Sequence, residues 1–501
     1  MIKKIRIVII IIPLFLIWSG CKENISGNLV ENKAPATQLA YESINREGEF
    51  RLSSQVRISW YGTDPDGYVI GYEFAINDTS ETAWTFTTKT DSLFILPITE
   101  GQSNDDVLFK VRSVDNDSLR DPIGASLKFP IVNSDPTTNL TEVPPDTLYS
   151  ISSFAWSIND PDGFLNLRST EIAVNDTANG WISIPFSDEQ ENGESIFLSL
   201  ILDNKVAGSQ NADLFLGKAL TQLDGVEKPT VQVGSKNTFY VRVTDKAGAV
   251  SEIDSVLWFV KQQKSKVLLL NDNSNDSDFS SQAFHLERLE SQGITPDVWI
   301  INDGGSIPDF KTPLSKAFPK TIDPTLTNTL KNWDHIYWIS DDINRNITYA
   351  QQIADEFFDN GGTMFVNIPV RNILQSDPLF NFLPIDSLGQ LTGTQTGFVV
   401  NASSSVTTLL PNYPNLTTTR RAAGIIPLKP TSESQALYNT EISVRTADMG
   451  TQPYNGYQTI AIKNAENNLV IFGFDLETLS NESKLNTLIQ KICIEELGFK
   501  Q

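Results

Sequence analysis

The chain is poor in the groups that do most nucleophilic and metal chemistry. Its 501 residues include only two cysteines, two histidines and three methionines. So few thiols and imidazoles exclude a disulfide framework, a Cys/His zinc cluster and a haem-type protein. Positive charge is also scarce: 38 Lys and Arg stand against 61 Asp and Glu, a formal charge of −23. Nucleic-acid binding without sequence preference relies on dense Lys and Arg, so no nucleic acid is expected as a partner. What is present belongs to a folded chain, with 40% apolar residues of which a good share are aromatic. The length suits about three domains of roughly 100–200 residues each.

The first residues read as an export signal covering 1–20. Lys3, Lys4 and Arg6 form a positive start, Ile7 to Trp18 an apolar run, and Ser19-Gly20 a pair of small residues before Cys21. The run is shorter than the about 20 residues of a comfortable membrane span. This stretch resembles a bacterial lipoprotein signal, although Trp18 stands where that motif usually has Leu. The resemblance implies lipidation of Cys21, a tether over 21–33 and a partner in the membrane through the lipid. Lys22-Glu23 is similar to the short charged tag that sends some Bacteroidota lipoproteins to the cell surface. The implied location is the outer membrane of the cell envelope, on its surface or periplasmic face.

Residues 34–133 read as short strands broken by turns. Val56, Ile58 and Trp60 alternate before Asp64-Pro65-Asp66-Gly67, and Tyr72, Phe74 and Ile76 share one face of the next strand. Residues 136–261 repeat the plan, with Phe154, Trp156 and Ile158 before Asp160-Pro161-Asp162-Gly163. Phe239 to Asp245 mirrors Phe109 to Asp115, and an insertion at about 187–230 carries an apolar Leu214–Leu220 stretch read as helical. The strand tryptophans, the Tyr240-Val-Arg-Val pattern and the Asp-rich loop resemble fibronectin type III or related immunoglobulin-like domains. That resemblance implies a sandwich and no particular activity.

From residue 265 to 501 the pattern changes to strands alternating with helices. Val267 to Leu270, Val298 to Ile301, Ile336 to Ile339, Met364 to Ile368 and Leu469 to Phe474 are apolar runs suited to strands buried on both faces. Helical spacing separates them, and Leu485, Leu488, Ile489 and Ile492 predict a terminal amphipathic helix. The expected fold is multidomain: two all-β sandwiches followed by an α/β domain with a parallel sheet. Val267-Leu-Leu-Leu, the Phe357-Phe-Asp-Asn-Gly-Gly-Thr-Met-Phe-Val junction and Val470-Ile-Phe-Gly-Phe-Asp resemble the class I glutamine amidotransferase-like superfamily. The resemblance implies a flavodoxin-like α/β fold and a Cys nucleophile at a strand-to-helix turn, activated by a His. The corresponding turn here is Asn367-Ile368-Pro369, with no nucleophile.

The remaining chemistry is sparse. Cys493 lies on the apolar stripe of the last helix and reads as core. His285 reads as a helix-surface or half-buried residue, and His335 as structural. Asp64-Pro-Asp-Gly and its copy read as turns and not calcium loops, because further oxygen ligands are missing. Trp84 and Trp181 offer a ligand face or, more commonly for strand aromatics, core. The carboxyl ends of the parallel strands carry Asp272, Asp303, Asp341, Asp342 and Asp475, where open α/β sheets bind ligands. Together they would suit a divalent cation or sugar hydroxyls, while helix caps and turns account for the same residues. No cofactor is expected.

These readings weigh toward a non-catalytic binding or scaffold lipoprotein, with a glycan or an envelope protein as partner. A surface hydrolase using strand-end carboxylates and a glycan-binding part of an uptake system are the alternatives. In cells with the lipoprotein pathway, Cys21→Ala is expected to take up no labelled palmitate and to leave the membrane fraction. A variant that keeps the label would refute lipidation at Cys21.

Overall fold

The computed structural model describes residues 31–40, 51–274, 279–301, 324–408, 410–447 and 450–501. The stretch read as an export signal, Cys21 and Asp303 lie outside the described residues. The chain forms two compact units, one of Met1–Pro97 with Asn104–Val132, the other of Ile98–Ser103 with Asn133–Gln501.

The first unit is a sandwich. A three-stranded sheet (Ala36–Leu39, Gln55–Thr63, Asp91–Ile95) faces a five-stranded one built on Val69–Ile76, Asn104–Asp115 and Ala125–Val132. The alternation of Val56, Ile58 and Trp60 buries all three side chains, as period-2 patterning requires. Trp60 is the hub, with the rings of Tyr72, Phe74, Phe94 and Phe109 all within 6.4 Å.

In the second unit the first part is again a sandwich, of five and seven strands. Phe154 stacks on Phe239 at 3.9 Å with Trp156 and Trp258 against the pair. The stretch read as an insertion supplies core strands: Ile196–Ile201 pairs with Ile151–Asn159 and with Asp213–Leu216. Leu214 and its neighbours are therefore strand, not helix. Ladder pairing with a central strand overrides a run too short to hold a helix on its own.

Both repeated turns act as clasps. Asp66 accepts the backbone N–H of Lys33 (3.1 Å), and Asp115, fully buried, accepts the Asn32 amide at 2.7 Å. In the second copy Asp162 accepts the Ser134 N–H (2.5 Å), and Asp245 accepts the Asn133 amide at 2.6 Å. Each sandwich thus grips the segment that enters it, with carboxylates spent on amides. Trp84 and Trp181 also form a repeat, and neither is core. Each half-buried indole lies 4.0 Å from a guanidinium, Arg112 or Arg242. Those arginines pair with Glu73 and Glu171, both at 2.7 Å.

Among the described residues the remainder of this unit contains five parallel strands: β1 (Val267–Asn271), β2 (Asp297–Ile300), β3 (His335–Ile339), β4 (Thr363–Asn367) and β5 (Leu469–Phe472), in the order β2-β1-β3-β4-β5. Helices α1 (Ser280–Glu290), α2 (Pro324–Leu330), α3 (Thr348–Asp359) and α4 (Glu482–Ile489) accompany them. The sheet is not purely parallel, contrary to expectation. Between β4 and β5 the chain adds antiparallel strands, including Gln435–Thr440 and Thr459–Lys463, which extend the same sheet beyond β5. A second sheet of four strands, with Gln395–Val400 and Ile442–Thr446 at its centre, lies in the same segment. These strands are short and their apolar runs are at most three residues long, so no long apolar run announces them.

The second sandwich and this sheet share one hydrophobic core. Tyr149 sits edge-on to Trp299 (5.7 Å) and Trp333 (4.7 Å), and its hydroxyl donates to the Val298 carbonyl at 3.0 Å. Trp333 Nε1 donates to Asp297 (3.0 Å), so the buried polar edges are satisfied. Tyr149 is 1% exposed. Truncation to Ala is expected to cost about 3–5 kcal/mol, the usual range for a buried aromatic. The measurement is the urea midpoint of the whole chain against Tyr149→Ala; a change under about 1 kcal/mol would show the seam to be dispensable.

Candidate functional site

The carboxyl ends of β1, β3, β4 and β5 open on a crevice of about 390 Å³. Strand order dictates its place, because connections leave β1 and β3 on opposite faces of the sheet and part there. Asn273, Ser340, Asp341, Asn367, Arg371, Arg420, Asp475 and Glu477 are among its lining residues, with His285 and the start of α1.

The predicted carboxylates divide. Asp341 and Asp475 line the crevice. Asp341 accepts the Ser274 N–H at 3.0 Å and the Ser274 hydroxyl, with Arg345 at 3.7 Å. Asp475 caps the turn Leu476–Thr478 by accepting the Glu477 N–H at 3.1 Å, and Arg420 lies 3.4 Å from its other oxygen. Asp342 is spent on its own turn, taking the Asn344 N–H at 2.9 Å and the Asn344 amide at 3.0 Å. Asp272 is fully buried and accepts both the side-chain amide (2.7 Å) and the N–H (3.2 Å) of Asn346. Capping and turn formation therefore absorb much of the acidic pattern. Among the described residues no three His, Cys, Asp or Glu side chains group to hold a metal ion.

Asn367, at the turn where the amidotransferase-like nucleophile was expected, donates to the carbonyls of Phe472 (3.1 Å) and Phe474 (2.8 Å). Its amide ties β4 to the exit of β5. His285 is buried, not at the helix surface, because α1 packs its ring against β3, where Nδ1 meets the Tyr337 hydroxyl at 2.9 Å. Burial and the nearby Arg288 push its pKa down to about 3, so the imidazole is neutral. His335 is likewise buried, bonded through Nδ1 to Thr363 Oγ1 at 2.8 Å and stacked on Phe499. Cys493 is buried in the core beside α4, and burial raises its thiol well above the ordinary value.

Two crevice residues escaped the sequence reading. Arg371 follows β4 on backbone fixed by two bonds, Val370 N–H to Gly473 O (3.1 Å) and Ile426 N–H to Val370 O (2.9 Å). Its Nε is buried, and the side chain has no hydrogen-bond or ion-pair partner among the described residues. Arg420 comes from the antiparallel segment, pinned by the Thr419 N–H and hydroxyl to the Thr478 carbonyl at 2.7 and 2.8 Å. A signal was present, since Arg371 lies four residues beyond the end of β4, but a basic side chain in a loop is ordinarily solvated.

Burial pushes the Asp272 carboxyl up to about 7, against the pull of the Asn346 bonds and of Arg345. A carboxyl whose pKa is raised in the fold stabilises the protein at pH below its unfolded value and loses that contribution as pH rises through about 7. The expected result is a melting temperature that declines through that window in the parent and a flatter profile in Asp272→Asn. Equal slopes in the two proteins would refute the assignment.

No protein-family model matches the chain, and no curated protein matches it. Solved structures with partial likeness are fibronectin(III)-like modules and other bacterial multidomain β-rich proteins. The fibronectin(III)-like modules of Clostridium thermocellum CbhA show 16% identity over 45% of this chain and 94% of that one, with a TM-score of 0.16. Dimeric latent PorU from Porphyromonas gingivalis shows 14% identity over 46% of this chain and 21% of that one, at a TM-score of 0.17. An α-L-rhamnosidase from Dictyoglumus thermophilum shows 10% identity over 45% and 29%, at a TM-score of 0.15. Overlaps this slight carry no argument about activity.

Proposed function

We propose that this chain is a membrane-tethered, non-catalytic binding or scaffold lipoprotein of the bacterial cell envelope. In this reading Cys21 carries the lipid, the fibronectin type III-like sandwiches space the protein from the membrane, and the final part is a flavodoxin-like, amidotransferase-like head. The head binds a ligand in the crevice at the ends of its parallel strands and does not transform it. The observation that carries the reading is the turn after β4. Where an amidotransferase-like head needs a nucleophile, Asn367 stands with its amide spent on two sheet carbonyls. The neutral, buried imidazole of His285 is held by Tyr337, and the Cys493 thiol is sealed in the core. The Cys–His pair that an amidotransferase-like head uses for acyl transfer is thereby not assembled in the crevice among the described residues.

A surface hydrolase is the second reading, because Asp341 and Asp475 do share the crevice. Binding and turnover on a panel of envelope glycans separate the two. The full chain is expected to retain glycan or envelope protein without releasing product. Product release that Asp341→Ala or Asp475→Ala abolishes would overturn the non-catalytic reading.

A further inference from the structure

The crevice was expected to be an acidic site, suited to a divalent cation or to sugar hydroxyls. Its charge pairing says otherwise. Asp341 is engaged by Ser274 and Arg345, and Asp475 by the Glu477 N–H and Arg420. Arg371 is the one lining cation with no partner among the described residues, and its Nε is buried. A cationic donor left without a partner at the wall of a cavity is normally matched by something that fills the site. The backbone at Val370 is fixed to Gly473 and to Ile426, so the chain that carries Arg371 is anchored at the crevice wall.

We infer that the crevice binds a small carboxylate that also carries hydrogen-bond donors, with Arg371 as the anchor of the carboxylate. A guanidinium presents parallel N–H groups that match a carboxylate in two bonds. The donors on the same ligand, hydroxyl or ammonium, meet the carboxylates of Asp475, Asp341 and Glu477 lining the same space. A bare divalent cation is disfavoured by the unpaired guanidinium, and a compact dianion such as sulfate by the three carboxylates. Sugar acids and amino acids share the required chemistry. A cavity of about 390 Å³ lies in the range of small-molecule sites. This inference rests on the crevice being the binding site of the proposed head, and it names the class of ligand.

The test is calorimetric titration of the full chain and its variants with four probes: D-glucuronate, glycine, D-glucose and sodium sulfate. Glucuronate or glycine is expected to bind, and whichever does identifies the source of the donors. Arg371→Ala is expected to weaken that binding about 10–100-fold, and Arg371→Lys, which keeps the charge but loses the paired geometry, by a smaller factor. An unchanged melting temperature in Arg371→Lys guards against a folding defect. No binding of either acid at roughly 10 mM, or sulfate binding as tightly as the acids, overturns the inference. Glucose binding that Asp341→Ala weakens and Arg371→Ala does not would also overturn it, while leaving the non-catalytic binding head intact.

Discussion

Both faces of the five-stranded parallel ladder must be buried, and the rest of the second unit follows from that requirement. Residues alternate across the strands: Leu268 and Leu270 of β1 enter one core, and Val267 and Leu269 enter the other. One face is closed by α1, α4 and the apolar residues that continue past α4, with Cys493 among them. The core on the other face is continuous with that of the second sandwich. Tyr149 is the joint, its ring set between Trp299 and Trp333. An aromatic that buries most of its surface and still satisfies its hydroxyl makes such a joint stable and specific in register. The second sandwich is therefore part of what closes the sheet.

Closing the sheet in this way leaves its carboxyl edge open at the parting of β1 and β3. What collects at that edge is decided by two different demands. Turns and helix starts need side-chain acceptors, which is why Asp342, Asp475 and Asp272 are committed to nearby N–H and amide groups. The crevice is lined by some of these same side chains, Asp475 among them, and by Arg371 and Arg420, which neighbouring backbone bonds hold at its wall. A site read from carboxylates alone leaves out the two arginines at its wall.

The same economy appears in the sandwiches. The repeated Asp-Pro-Asp-Gly turns use their second aspartate to accept the entering backbone, and a distant aspartate, Asp115 or Asp245, accepts an Asn from the same entering segment. Burial opposes ionisation of Asp115, yet the bonds from Asn32, Leu119 and Asp117 hold its pKa below the usual value. The repeated Trp–Arg–Glu ladders occupy the aromatic faces that would otherwise suit a ligand.

Local pattern was enough for the elements whose burial is written in their own residues. The alternation around Trp60 and Trp156, the apolar runs of β1, β3, β4 and β5, and the stripe that buries Leu485, Leu488 and Ile492 all depend on spacing along the chain alone. So does the repeat of the two turns. The antiparallel strands between β4 and β5 were not legible, because their stability comes from ladder partners far away in sequence. His285 was misplaced for the same reason: only the packing of α1 on Tyr337 makes that helix face interior. Arg371 and Arg420 look like ordinary solvated loop residues in the sequence. Tertiary structure alone brings them to one cavity and sets Arg420 against Asp475, because pairing is set by distance in space and not by distance along the chain.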